Sequence, residues 1–205
     1  MRQQRPLLVV AFGAFILGIF LGVAYFDSLQ QMMQQFFEQL QNKIGPVTAG
    51  PELFVKIFVN NALAALTFIA TGLFFGIYPF FGLVINGMAL GYLWQAVELA
   101  GQAPWKMFVY GILPHGIFEI PAIVLAGAFG MRIGVQVWQS LWGLLRPSSL
   151  REPPAWPWRR LLRQLPLTLN LVLGLLLVAA IIESSLTLWL VQQFVDGWTG
   201  AVGVF

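Results

Sequence analysis

The chain has no cysteine, one histidine, and only 9% charged residues in a length of 205. Each shortage excludes something. Without cysteine there are no disulfides, no thiolate metal ligands and no cysteine nucleophile. A soluble domain is roughly a quarter charged, so the chain cannot clothe a surface in water. The G-x-S-x-G, H-E-x-x-H and phosphate-loop patterns are all missing, which leaves the common hydrolase and nucleotide chemistries without their usual residues. The one arginine-rich stretch is short and broken by prolines. It suits anionic lipid better than nucleic acid.

What is present is greasy. The chain is 59% hydrophobic, with eight tryptophans and eighteen phenylalanines. Its apolar runs are long enough to span a bilayer, and a soluble protein exposing them would aggregate. The fold class is therefore all-α, a polytopic membrane protein with residues 1–205 in one membrane domain. Hydropathy predicts five transmembrane helices, over about 6–26, 53–77, 80–97, 114–135 and 165–190. The first run, Leu7–Phe26, is too long for a signal-peptide core and no small-x-small site follows it, so it reads as a retained anchor. "YPF" at 78–80 reads as the turn between the second and third spans. Trp105–Leu113 reads as an interfacial or re-entrant segment, with Trp105 and Tyr110 at headgroup level. One long helix kinked at Pro114 is the alternative. A basic, proline-rich loop covers 143–164, and the tail "DGWTGAVGVF", with Asp196, reads as loosely held.

Residues 28–44 are different. Leu29, Met32, Met33, Phe36, Phe37, Leu40 and Ile44 recur at helical spacing, with glutamines opposite. That is an amphipathic helix, started by Asp27 or Ser28 and too polar to span. It lies on the extracellular surface, packs on a partner, or folds back on its own bundle.

Arg2, Arg5, Arg132, Arg146, Arg151, Arg159, Arg160 and Arg163 fall on one side of the five spans, and Lys43, Lys56 and Lys106 on the other. The positive-inside rule then predicts a plasma-membrane protein with a cytoplasmic N-terminus and an extracellular C-terminus.

A few polar residues remain inside the spans, and in lipid each needs a partner or a task. Counting about 1.5 Å of rise per residue from the predicted helix ends places His115, Glu119, Glu183, Asn60 and Asn61 in one layer of the outer leaflet. Asn86 and Asn170 form a second layer near the inner face. His115 and Glu119 are four apart and share a helix face. Pro121 leaves the carbonyl of Ile117 without its helical donor. Three readings of the layer stay open. It is a hydrogen-bond network joining helices. It is a divalent metal site, zinc-like, with His115, Glu119 and Glu183 as ligands. Or it is a path for protons or ions.

Gly18 and Gly22, Gly72 and Gly76, Gly87 and Gly91, and Gly130 and Gly134 each form G-x-x-x-G. Ala122, Ala126, Gly130 and Gly134 make a ridge of small residues. Such ridges let helices approach closely, within one chain or between two.

"GILPHGIFEIPAIVLAGAFGMRIG", "VNNALAALTFIATGLFFGIYPFFGLVINGMALG" and "AAIIESSLT" resemble, in order and spacing, the stage II sporulation protein M family. The resemblance covers roughly residues 50–190. Asn60, Asn61, Asn86, His115, Gly116, Glu119 and Glu183 match its pattern, while Leu188 stands where the family often has proline. The resemblance implies a five-span plasma-membrane protein that acts as a scaffold. In spore formers its partners are the peptidoglycan hydrolases called stage II sporulation proteins D and P. The expectation is a non-enzymatic scaffold for cell-wall remodelling partners, as a homodimer. The alternatives are a small-molecule or ion transporter or channel, and an intramembrane metal-dependent hydrolase with Glu119 or Glu183 as base.

Overall fold

The computed structural model describes residues 5–44, 50–145 and 158–195. Arg2, Arg146, Arg151, Asp196 and the rest of the tail lie outside the described residues. Among the described residues six helices follow in order: α1 (Arg5–Ala24), α2 (Phe26–Ile44), α3 (Pro51–Thr71), α4 (Ile77–Leu99), α5 (Pro104–Leu145) and α6 (Trp158–Phe194). All but α2 are long and apolar enough to cross a membrane. The bundle has two ends: α2 and the starts of α3 and α5 mark one, the α3–α4 turn the other.

The α3–α4 turn is made by Gly72–Gly76 rather than by Tyr78–Phe80. Phe75 and Gly76 both have positive φ, which lets the chain reverse in five residues. Pro79 then falls in the first turn of α4, where a helix leaves its N–H groups unpaired in any case.

The segment Trp105–Leu113 does not re-enter. It continues one helix of 42 residues. Met107–Ile112 winds as a π-helix directly before Pro114. Proline cannot donate, and its ring crowds the preceding turn; a wider turn absorbs it. In α6 the stretch Glu183–Thr187 is also π-helical. Ser184 and Ser185 hydroxyls both donate to the carbonyl of Ile181, just ahead of that stretch.

Helix α5 is the most buried of the five spans and forms the centre, against α1, α3, α4 and α6. Its side chains Ala122 and Ala126 are fully buried. The small-residue motifs are consumed inside the chain. A Cβ added to Gly18 or Gly22 would meet backbone of Val84 or Met88 in α4. One added to Gly87 or Gly91 would meet Phe15 or Ile19 in α1. Gly72 faces Gly130, and Gly134 faces Gly76, so the turn seats on α5 in the same way.

Helix α2 folds back on its own bundle, which is one of the three expectations. Met33 is fully buried, Phe26 stacks on Tyr92 with ring centroids 4.5 Å apart, and Leu40 packs on Leu53 and Ile57. The glutamines at 30, 31, 34, 35 and 39 stay exposed. At the other end, Arg132, expected to close its span, is buried between α5 and α6 and donates to the Gln164 side chain at 2.5 Å.

Candidate metal centre

The sequence puts His115 one turn before Glu119, so both side chains leave the same face of α5. That face turns towards α6 at the level of its π-helical stretch. One ligand atom from each of His115, Glu119 and Glu183 lies within 4.8 Å of the others. His115 and Glu183 are buried and Glu119 is half-buried. The other imidazole nitrogen, Nδ1, meets Thr187 Oγ1 at 3.3 Å. Nε2 stands 3.9 Å from a Glu119 oxygen, too far for a hydrogen bond.

These distances discriminate between readings. Direct hydrogen bonds need about 2.7–3.2 Å. Ligands around a tetrahedral zinc, with bonds of ~2.0–2.1 Å, stand about 3.3 Å apart. The three atoms, within 4.8 Å of one another, would reach ligand spacing by closing by up to about 1.5 Å. Two carboxylates this close repel unless a proton or a cation stands between them. Among the described residues that line the cavity, Lys43 on α2 is the only lysine or arginine.

The centre opens onto a cavity of about 700 Å³. Asn60, Asn61 and Asn86 line it together with the three ligands. Asn86, which the sequence places in a layer nearer the inner face, lines the same cavity. Measured along α5, His115 and Glu119 lie about 16–22 Å from Pro104. Glu183 lies about 16 Å from the end of α6, and Asn60 and Asn61 about 14 Å from the start of α3. The common level is roughly half-way through a ~30 Å hydrocarbon core. It is deeper than the sequence estimate, because α5 starts ten residues before Pro114.

The amides do not cross-link helices. Asn60 donates to Asn61 at 3.2 Å, and Asn86 to the carbonyl of Gly82 in its own helix at 2.8 Å. Asn170 is exposed on α6 and takes no part in the cavity. An inter-helix amide network is thus not what these residues build.

Thr187 belongs to the quoted segment "AAIIESSLT" but was given no role in the site. Its signal was present: it follows Glu183 by four, as Glu119 follows His115. Lys43 lies three residues after Leu40, on the apolar side of α2, and also lines the cavity; the sequence reading uses it only for orientation.

A family model described as stage II sporulation protein M matches residues 11–188. The chain belongs to that family. Within it, 84 residues are 34% identical to an uncharacterised protein of Methanocaldococcus jannaschii, over 41% of this chain and 47% of that one. A second uncharacterised protein of the same archaeon is 28% identical over 138 residues, 63% of this chain and 59% of that one. The chain thus spans about half the length of these curated relatives. No solved structure matches. The match contains every cavity residue of the spans, from Phe15 to Glu183, so the centre and its cavity belong to the family's segment of the chain.

Proposed function

We propose that this family member is a non-enzymatic membrane scaffold whose bundle is locked by a divalent cation, zinc by preference, held by His115, Glu119 and Glu183. The supporting observation is the convergence of these three ligand atoms from two helices. A cation there ties α5, the centre of the bundle, to α6. Its partners are cell-wall hydrolases, as the family suggests. Helix α2 and the outer loops are the docking surface, with the glutamine face of α2 exposed. The glycine motifs are used up within one chain, so they give no face to a second copy and no support to a homodimer.

A catalytic reading has less behind it. Metal hydrolases of the H-E-x-x-H type add a general base beside their ligands. Among the described residues that line the cavity, the only carboxylates and histidine are the three ligands themselves. A transport reading draws on one observation, the cavity beside two carboxylates in mid-membrane, and flux in proteoliposomes tests it.

The scaffold is tested by purification from native membranes. A cell-wall hydrolase is expected to co-purify with the wild type, and to be lost when Gln31, Gln34 and Gln35 on the exposed face of α2 are changed together to lysine. A preparation that carries zinc but no such partner sinks the scaffold and spares the metal centre.

The same proposal places α2 outside the cell. The chain has no cysteine, so single-cysteine labelling is clean. In intact cells a membrane-impermeant maleimide is expected to label Lys43→Cys, and Arg163→Cys only after permeabilisation. The reverse pattern inverts the topology.

A further inference from the structure

The cavity is not closed. Along α4 its lining runs from Tyr78 to Leu93, about 22 Å. Its walls are α3, with Leu63, Ala64 and Thr67, and α4, with Phe81, Ile85 and Ala89; its floor is α5. Leu63 and Phe81 are 58% and 57% exposed. Both are apolar and lie within membrane-spanning helices, so the slot between them opens onto lipid and not onto water.

The two ends of the slot differ. Towards the α3–α4 turn its lining is apolar apart from the hydroxyls of Thr67 and Tyr78. At the level of the metal centre it carries the Asn60, Asn61 and Asn86 amides, with Lys43 above them on α2. A volume of about 700 Å³ falls in the usual range for one small ligand, ~300–1,000 Å³. A partner helix about 10 Å wide and 22 Å long displaces on the order of 1,700 Å³, and does not fit.

We infer that the slot between α3 and α4 binds one single-chain lipid phosphate, its hydrocarbon tail lying between Leu63 and Phe81 and its phosphate at the metal centre. This rests on the metal reading proposed above. Three protein ligands would leave a coordination position free on a zinc-like ion, and all three line the cavity. With a cation bound, the two carboxylates are neutralised, and Lys43 leaves the cavity with a positive balance that an anionic head group satisfies. A phosphate monoester presents three terminal oxygens. One suits the metal and the others suit amide donors, of which Asn61 keeps both and Asn86 one. A fatty-acid carboxylate has one oxygen too few for this set.

The test uses the full chain in uncharged detergent, with hexadecyl phosphate, palmitate and hexadecanol as probes. Native mass spectrometry reads zinc and probe adducts separately. The zinc-loaded wild type is expected to retain one hexadecyl phosphate, at least tenfold more tightly than palmitate or hexadecanol. Ala89→Phe, and Ala64→Phe on the opposite wall, are expected to weaken that adduct at least tenfold while keeping zinc, which also reports that each variant is folded. Zinc retained without a phosphate adduct overturns this inference alone, and so does equal binding of palmitate or an adduct untouched by both phenylalanines. A wild type that takes up no zinc overturns the metal centre, and this inference with it.

Discussion

Gly87→Ala is expected to lower the melting temperature of the purified protein by roughly 10 °C, a loss of about 3 kcal/mol. One methyl group does this because of where it would go. A Cβ on Gly87 would lie 2.0 Å from the carbonyl oxygen of Phe15, and one on Gly91 2.1 Å from that of Ile19. From the other side, Gly18 and Gly22 are as close to the backbone of Val84 and Met88. The obstacle is main chain throughout, so no side chain can swing away and the helices themselves must part. In lipid this contact is the interface, since burying apolar surface brings little gain and close packing carries the association. Gly13→Ala is the control. It lies on α1 with nothing within 4 Å of its added Cβ, and losing a helix-interior glycine stabilises by up to ~1 kcal/mol. Thermal unfolding in one detergent compares the two. Equal melting temperatures refute the glycine-packed α1–α4 contact.

Much of this architecture is legible in the residues. Five spans follow from apolar run length alone, because lipid demands it. The stripe from Leu29 to Leu40 gives α2 its inward face for the same reason. Where the reading slipped, the cause was local backbone chemistry. "YPF" looks like a turn because proline breaks helices, yet Pro79 is harmless in a first turn, and Gly76 supplies the reversal three residues earlier. Pro114 looks like a helix start, yet a π-helical turn carries the chain through it. That error also shortened α5 and drew the polar layer too close to the surface. For the site, i, i+4 spacing brought His115 and Glu119 together. Equal depth pointed to Glu183, but only packing shows which face of α6 meets α5. Nothing in the spacing reveals that Asn170 points away, or that Asn86 shares the cavity: depth along a helix is readable from sequence, rotation about it much less so among uniformly apolar residues.

Glu183→Gln separates the metal reading from a structural hydrogen-bond network more sharply than any deletion. Glutamine keeps the length, the shape and an acceptor oxygen, and it adds donors. A network tolerates that exchange, and removing one of two adjacent carboxylates also relieves their repulsion. A metal centre does not tolerate it, because an uncharged amide is a poor ligand for zinc and only Glu119 remains to balance the ion. The expected result is a loss of zinc affinity of more than about 100-fold in Glu183→Gln, and likewise in His115→Ala. Thr187→Val, which removes only the partner of His115 Nδ1, is expected to weaken binding about 10–100-fold, the range for groups that orient a ligand. Stability gives the second readout. Zinc at a hundred times its dissociation constant stabilises by about 2.7 kcal/mol, so the wild type should melt higher with zinc while Glu183→Gln stays put. If Glu183→Gln keeps both the affinity and the zinc-dependent shift, Glu183 is no ligand. If neither protein binds zinc and the variant melts as high as the wild type or higher, the three side chains form a polar lock between α5 and α6 that holds no ion.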